Sequence, residues 1–377
     1  MIYDDSSSTT RRTLTAGARI LSTLKLDGPL LIGLGLIALF GQVVLYSASG
    51  QDWGSVLRGV ARIALGTVAM LALAQVKPSL LRRLAPWLFA FGVLLLIIVD
   101  AIGYVGKGAQ RWLDLGFIRF QPSEIMKLAT PMMCAWFLHD RPLPPDTKTL
   151  LVLAALIMVP AGLTIIQPDL GTGLLILSAG VLVVLLAGLS VRIIGAMAVA
   201  AVGAAWIGWS FLHEYQQKRV LMFLDPQADP LGAGYHSIQA GIAIGSGGVF
   251  GKGWMKGSQG QLEFLPERST DFIFAVIGEE FGLVGAIVLL LLYLFVVARA
   301  LYLSVQTQDT FSRLLGGSFA ITIFVYVFIN AGMVSGLLPV VGVPLPLVSY
   351  GGTSMVTLLA SFGILMSLYS HRKLVGY

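Results

Sequence analysis

Long apolar runs recur along almost the whole sequence, and they constrain its fold more than any other feature. A membrane-spanning helix needs about 20 mostly apolar residues, and ten runs meet or approach that length: 30–46, 56–75, 84–103, 124–138, 150–166, 170–189, 193–212, 272–303, 315–334 and 353–369. Only 12% of the residues are charged, against about 25% in soluble domains. The sequence therefore predicts an all-α polytopic membrane protein with about ten transmembrane helices.

The positions of Lys and Arg predict how these helices are oriented. Short cytoplasmic loops are enriched in Lys and Arg, and with ten spans the basic residues of both tails and of alternate loops fall on one side. We therefore expect both termini in the cytoplasm, with tails 1–29 and 371–377 on either side of one membrane domain, 30–370. Residues 213–270 then form a large extracytoplasmic loop between the seventh and eighth helices. The basic residues on the predicted cytoplasmic side are Arg11, Arg12, Arg19, Lys25, Lys77, Arg82, Arg83, Arg141, Lys148, Arg192, Arg313, Arg372 and Lys373.

A second set of cations lies on the predicted outer side, against the orientation rule. An anionic ligand at that face would explain them, since Lys and Arg bind phosphate well. Contact with outer-leaflet lipid, or simple solvation, is the alternative, but acidic residues interleaved with the bases favour a ligand. The outer cations are Lys107, Arg111, Arg119, Lys218, Arg219, Lys252, Lys256 and Arg268.

The stretch 232–271 is neither apolar enough to span a membrane nor charged enough to be a solvated tail, and long ordered loops between helices are usually functional. It contains the candidate ligand-binding residues His236, Lys252, Lys256 and Arg268, and it ends at Asp271, where the eighth span begins. An aspartate in that position can simply stabilise the helix N-terminus. The alternative is a general base that takes a proton from a sugar hydroxyl at the membrane surface.

Two further motifs place charge at the ends of predicted helices. Pro122 favours a helix start. The helix then places Glu124 and Lys127 on one face as an ion pair. The pair either offsets the cost of burying its own charges or lines a substrate cavity. In QPDLGT, Asp169 can cap the following helix or contact a ligand. Glu279 and Glu280 lie further along the eighth span, and their role stays open.

The segment 336–354 is apolar but contains three closely spaced prolines, which forbid a regular helix. Irregular backbone at membrane depth is tolerated only when it is buried in protein or lines a cavity. Ser349 and Thr353 are therefore candidates for binding a polar head group, unless the segment is a re-entrant turn that merely packs. The mixed segment 214–224 of the large loop favours an amphipathic helix at the membrane surface.

Other chemistries have little support in the sequence. The single cysteine, Cys134, allows no disulfide framework, and no Cys/His cluster or phosphate-binding loop is present. The glycine-rich run near Gly245 follows no βαβ pattern, and no basic-aromatic module indicates a nucleic-acid partner.

Taken together, the motifs KGAQRWLDLG, RFQPSE, QPDLGT, DPLGAGYH, LEFLPERSTDFIF and GVPLPLVSYGG resemble those of the SEDS family, in particular its RodA branch. The resemblance covers residues 27–373 and implies a ten-helix peptidoglycan glycosyltransferase of cell elongation. It would polymerise lipid II at the outer face of the bacterial inner membrane. Asp271 matches the family's catalytic aspartate, and Arg111, Glu124, Lys127 and Asp169 match its other conserved charged residues.

The resemblance also implies partners and a mechanism. Partners would be lipid II, an undecaprenyl-pyrophosphate-linked glycan, a class B penicillin-binding protein, other elongation-complex proteins and membrane lipids. Asp271 would deprotonate the acceptor hydroxyl, while Arg111, Lys127 and the loop lysines stabilise the leaving pyrophosphate. A divalent cation, Mg²⁺ or Mn²⁺, is left open because no site for one is visible. A lipid-precursor flippase and a membrane scaffold are the alternative functions.

Overall fold

A computed structural model describes residues 21, 23–106, 109–114, 119–211, 214–229, 234–262, 264–265 and 267–371. Each of the ten predicted runs forms a helix there: α1 (Gly28–Ala48), α2 (Trp53–Gln75), α3 (Pro78–Ile102), α4 (Pro122–Leu138), α5 (Thr147–Ile166), α6 (Leu170–Leu186), α7 (Val191–Gly208), α11 (Ile273–Val305), α12 (Thr310–Val334) and α13 (Thr353–Ser370). The large loop adds α8 (Glu214–Leu224), α9 (Tyr235–Gly247) and α10 (Ser258–Gln261). Lys107, Glu263 and most of both predicted tails lie outside the described residues.

Seven of these helices are both long and apolar enough to cross a membrane, counted over the described residues: α1, α2, α3, α5, α11, α12 and α13. Two others, α6 and the first part of α7, are apolar but shorter. A polytopic helical membrane protein is thereby confirmed, whereas the number ten and the domain boundaries stay predictions. The segment 214–224 is helical, as its amphipathic pattern predicted.

Three short strands lie between α3 and α4 of this mainly helical fold. They are β1 (Tyr104–Gly106), β2 (Ala109–Asp114) and β3 (Arg119–Phe120), in an antiparallel sheet of order β1-β2-β3. Tyr104 pairs with Trp112, and Leu113 pairs with Phe120. The pairing satisfies backbone groups of a loop next to the membrane, and the helical pattern of the flanking runs gave no indication of it.

Short polar residues explain where many helices begin. The side chains of Asp27, Asp52, Asp146, Asp169 and Asp309 each accept a hydrogen bond from a backbone N–H in the first turn of α1, α2, α5, α6 and α12, respectively. Aspartate is among the best residues at this position because its carboxylate satisfies an otherwise unpaired donor. Capping by Asp169, one of the two interpretations of QPDLGT, is therefore confirmed.

Helices α12 and α13 form the centre of the bundle, since about two thirds of each apolar span is buried, against 22–39% in the other candidate spans. Small residues permit close backbone contacts, as between Gly363 and Met70 and between Gly247 and Gly278. After α12 the backbone is irregular through residues 336–352, as the prolines predicted, and Leu345 and Val348 there are buried. This segment (residues 336–352), which we call the PLP segment after its Pro-Leu-Pro sequence at 344–346, supports the site described next.

Candidate functional site

Asp271 is partly buried just before α11, and its neighbours hold the backbone on which it lies. Asn330 Nδ2 donates to the Asp271 carbonyl at 2.9 Å and to the Val343 carbonyl at 2.7 Å. Ser349 Oγ donates to the Thr270 carbonyl at 2.6 Å. Two elements, α12 and the PLP segment, therefore fix the position of Asp271.

The surroundings of the Asp271 carboxylate favour a chemical role over helix capping. The N-cap residue of α11 is Phe272, not Asp271. Gly342, with φ +77°, lies beside the carboxylate: a Cβ there would be 3.4 Å from Asp271 Oδ2 and 3.8 Å from Arg219 Nη1. Arg219 also donates to the Val340 carbonyl at 3.2 Å. A guanidinium thus lies in the same small region as the carboxylate, where it can stabilise negative charge.

Glu124 and Lys127 form the ion pair that their spacing predicted. Lys127 Nζ is 2.8 Å from Glu124 Oε1, and both residues are buried in α4. The ammonium also lies 5.6 Å from the ring centroid of Tyr326 on α12, a favourable cation–π distance. Tyr326 and Asn330 are four residues apart and share a helix face. The face of α12 that contacts Lys127 is therefore also the face that holds Asp271.

Arg111 on β2 and Asp169 before α6 belong to the same region. Arg111 Nη1 is 3.8 Å from Asp169 Oδ1, and the guanidinium donates to the carbonyls of Gln167 and Pro168. The other carboxylate oxygen of Asp169 accepts from Gln121 Nε2 at 2.8 Å. Asp169 thus caps α6 and also orients Arg111, while direct contact of Asp169 with a ligand stays a prediction.

A cavity lies between α4, α12, α13 and the PLP segment. Lys127 and Tyr326 line one side of it, and Gly351 and Ser354 line another. Ser349 lines it as well, and its hydroxyl connects the cavity wall to the backbone before Asp271. Asp271 itself does not line the cavity. It is connected to the cavity wall through the hydrogen bond that Ser349 donates to the carbonyl of the preceding residue, Thr270.

Glu279 organises the loop before α11. This fully buried carboxylate accepts from Lys252 Nζ at 2.8 Å, from Ser258 Oγ at 3.1 Å, and from the backbone N–H groups of Gln259 and Gly260. Lys252 was predicted to bind substrate, but its ammonium is neutralised here by Glu279. These contacts fasten the loop to α11, and substrate binding by Lys252 stays a prediction.

The remaining predicted binding residues are Lys256, Thr353, Arg268 and His236. Lys256 is exposed, and Thr353 is partly buried in the first turn of α13. Arg268 donates to the Gly260 carbonyl. His236 stacks on Phe272, with ring centroids 5.7 Å apart, and burial is the main cause that lowers its pKa below 6.5. The structure does not test whether these four residues bind a ligand.

Several residues of the site were not among the predicted ones. Asn330 and Tyr326 lie inside an apolar run, where a polar side chain usually has a function, and that rule could have identified them. Arg219 was noted only as an outer cation. The tertiary contacts alone relate it to Asp271.

Metal ligation is not evident in the part of the chain that the structure describes: it contains no group of three or more His, Cys, Asp and Glu that could hold an ion. A requirement for Mg²⁺ or Mn²⁺ stays a prediction.

The fold and site define a helical membrane protein with charged side chains gathered at one end of the bundle. The FtsW/RodA/SpoVE family, described as cell cycle proteins, matches residues 26–374. The chain therefore belongs to this family, the SEDS family, as its motifs predicted.

Named relatives agree with this assignment. The chain is 52% identical over 352 residues to the peptidoglycan glycosyltransferase MrdB of Escherichia coli K12, covering 93% of this chain and 95% of the relative. It is 41% identical over 306 residues to MrdB of Helicobacter pylori 26695, covering 78% and 79%.

Two solved structures have a similar fold. One is a chain of a peptidoglycan synthase complex described as coordinating polymerisation and crosslinking, with TM-score 0.81, 33% identity and coverage of 92% of this chain and 98% of that one. The other is the rod shape determining protein RodA of Thermus thermophilus, with TM-score 0.69, 30% identity and coverage of 92% and 97%.

Proposed function

We propose that this chain is a peptidoglycan glycosyltransferase that polymerises lipid II into glycan strands during cell elongation. The reaction takes place at the outer face of the bacterial inner membrane, and both termini of the chain are cytoplasmic. The similarity to MrdB over nearly the whole length of both proteins supports the activity. The observation that carries the assignment to this site is the hydrogen-bonded support of residues 269–271, which positions the Asp271 carboxylate beside Arg219.

The proposed chemistry is an inverting transfer with Asp271 as general base. The 4-hydroxyl of the acceptor's N-acetylglucosamine attacks the anomeric carbon of the donor, and Asp271 takes the hydroxyl proton. The new C–O bond forms as the bond from the anomeric carbon to the pyrophosphate oxygen breaks, and the prenyl pyrophosphate leaves with the electron pair. General-base assistance contributes about 10²–10⁴-fold to the rate.

Charge on the departing pyrophosphate needs compensation, and Arg111 and Lys127 are the cations that we assign to it. Both have carboxylate partners, Asp169 and Glu124, which hold them in place before substrate arrives. Preorganised charges of this kind act in a site that excludes water, where they lower the barrier without reorganisation. Arg219, beside Asp271, extends the positive surface.

A flippase for the same lipid-linked precursor is the second candidate, because the cavity lined by Lys127 also reaches Thr357 and Ser361 on α13. A flippase needs a polar path through the bilayer, but the lining of this cavity is mostly apolar side chains. The geometry therefore favours an enzyme with its charges at one face.

The partner that we propose is a class B penicillin-binding protein, the transpeptidase that would crosslink the new strands. The similar chain from a complex that coordinates polymerisation and crosslinking supports this choice. Other elongation-complex proteins would bind the same assembly, and the surrounding lipid covers the exposed apolar faces of α1–α3.

The test is polymerisation of labelled lipid II by the purified chain together with its transpeptidase. Asp271→Asn keeps the size of the side chain but removes the base, so polymer should fall at least 100-fold while the apparent Tm in detergent stays within a few degrees. Asp225→Asn is the matched control, since Asp225 is an exposed acid of the same loop. Near-normal polymer from Asp271→Asn would refute the assignment of Asp271 as the general base. Loss of polymer in both variants would show that the effect is not specific to Asp271.

A further inference from the structure

Two arginines on α2 lie against the PLP segment, at the same end of the bundle as Asp271. Arg58 and Arg62 are four residues apart and share a helix face. Arg58 Nε donates to the Tyr350 hydroxyl at 2.9 Å, and the Arg62 guanidinium carbon lies 4.3 Å from the Tyr350 ring centroid. Arg62 Nη1 also donates to the Gly351 carbonyl at 3.3 Å. The two guanidinium groups are thus oriented around one tyrosine.

The arginine pair differs from the other cations of the site in its charge balance. Lys127, Arg111 and Lys252 each have a carboxylate that is buried or nearly so. Among the residues that the structure describes, Arg58 is paired only with Asp52, at 3.3 Å, with both side chains at least half exposed, and such a surface pair contributes little. Arg62 has no carboxylate within 4.0 Å among the described residues. A net positive charge therefore remains at this point.

Donor groups of the pair remain available to a ligand. Within the described part of the chain, Nη1 of Arg58 and both Nε and Nη2 of Arg62 donate no hydrogen bond to protein. Planar guanidinium groups with open donors match phosphate oxygens in geometry as well as in charge.

The pair is connected to the segment of the proposed base through Tyr350, which both arginines contact. Tyr350 N donates to the Ser269 carbonyl at 2.7 Å, two residues before Asp271. Gly351, which Arg62 binds, lines the same cavity as Lys127. Arg62 therefore contacts the wall of the cavity that Lys127 also lines, and the backbone before Asp271 is bonded to Tyr350 beside it.

Joining two prenyl-pyrophosphate-linked glycans requires the enzyme to hold two diphosphates at once, of which only the donor's departs. We propose that Arg58 and Arg62 bind the diphosphate that stays, which belongs to the acceptor. This assignment rests on the function proposed above, with Arg111 and Lys127 binding the diphosphate that leaves. The proton and bond changes of the transfer step are unaltered, because the acceptor's diphosphate takes no part in them.

A kinetic signature follows from that division. The acceptor's diphosphate carries the same charge in the ground state and in the transition state, so its binding residues stabilise both equally. Loss of such uniform binding raises KM and leaves kcat unchanged. Loss of a contact to the departing diphosphate lowers kcat, because negative charge develops there only as the bond breaks.

The experiment compares Arg62→Gln and Arg58→Gln with wild type, using the full chain with its transpeptidase in vesicles and labelled lipid II as substrate. Each variant should raise KM about tenfold or more, as expected for a lost hydrogen bond to a charged group, with kcat within about twofold of wild type. Arg62→Lys keeps the charge and should recover part of the loss. Arg83→Gln is the control, because Arg83 is exposed and lies in the second turn of α3, at the other end of the bundle.

Three outcomes would overturn the proposal. Unchanged KM in both Gln variants would show that the arginines bind no substrate. A fall in kcat without a rise in KM would mean that they act by holding Tyr350 and hence Asp271; Tyr350→Phe, which removes the hydroxyl but keeps the ring, would then lower kcat too. A rise in KM confined to vesicles containing phosphatidylglycerol, and absent in pure phosphatidylcholine, would identify anionic lipid headgroups as the ligand.

Failure of the proposed function looks different from each of these results. In that case wild type itself makes no polymer from lipid II, whereas failure of the subsite leaves a wild-type enzyme whose arginine variants match it or lose kcat alone. Apparent Tm values in detergent accompany every variant, and the lysine substitution at residue 62 keeps the test valid if a glutamine variant does not fold.

Discussion

Replacement of Asn330 by leucine is the sharpest test of how the site is built. Asn330 is fully buried in α12, and its amide donates to the carbonyls of Asp271 and Val343 at 2.9 and 2.7 Å. Leucine has a similar volume but no donor, so the substitution removes both bonds and leaves two carbonyls without them. It touches neither the carboxylate of Asp271 nor any proposed substrate contact.

The expected cost follows from those two bonds. A buried polar group that loses its partner costs about 1–3 kcal/mol, so two such groups give about 2–6 kcal/mol of lost stability. Activity should fall further than stability alone explains, because the Asp271 backbone loses one of its supports. Displacement of a reacting group by 1 Å costs on the order of 10²-fold in rate, and we expect kcat to fall about 10–100-fold.

Ser318→Ala is the matched control on the same helix. Ser318 is also fully buried, and its hydroxyl donates to the Ala179 carbonyl at 2.8 Å, away from Asp271. It should lose about 1–3 kcal/mol with kcat nearly unchanged. Lipid II polymerisation by detergent-purified protein gives kcat, and the apparent Tm gives stability. If Asn330→Leu retained wild-type kcat, or if both variants lost activity in proportion to stability, the support of Asp271 by α12 would have no catalytic importance.

Three further predictions follow from other contacts. Glu279→Gln removes a buried carboxylate with four donors, so we expect a loss of about 3–5 kcal/mol and earlier proteolysis in the loop before α11, measured by limited digestion. Gly342→Ala and Gly336→Ala each place a methyl group on a residue with positive φ, which costs about 1–2 kcal/mol of stability. Only Gly342 lies near Asp271, so only Gly342→Ala should lower kcat more than the loss of stability explains. Burial lowers the pKa of His236 below 6.5. The neutral form of His236 therefore stabilises the fold above that pH, and this contribution is lost as the pH falls below it. The Tm of His236→Phe should therefore fall less than that of wild type between pH 7.5 and 5.5. An equal loss of Tm in both proteins would show that His236 does not titrate in this range.

The positions of the helices could be predicted from the sequence with little ambiguity. A bilayer requires about 20 apolar residues in each span, and Asp residues immediately before the runs, as at Asp27 and Asp309, define where helices begin. The ion pair of Glu124 and Lys127 was predictable for the same reason, because a helix fixes the distance between residues three apart. Local rules were sufficient in each of these cases.

Contacts between distant segments were not predictable in this way. Lys252 was a candidate for substrate binding, yet Glu279, 27 residues away, binds its ammonium. The sequence left the role of Glu279 open, since a carboxylate in a span can line a cavity or bind a loop, and the partner alone decides. The short sheet between α3 and α4 was missed because its pairing depends on loop closure rather than on residue pattern.

The sequence by itself determined that the chain crosses a membrane, that its backbone is irregular near residues 336–352, and that it belongs to the SEDS family. These conclusions depend on hydrophobicity, on proline stereochemistry and on long ordered motifs, all of which act along the chain. Only the tertiary structure decided which polar groups meet. Asn330 holds Asp271 from 59 residues away, and Arg58 reaches Tyr350 from 292 residues away, because helix packing, and not sequence spacing, sets those distances.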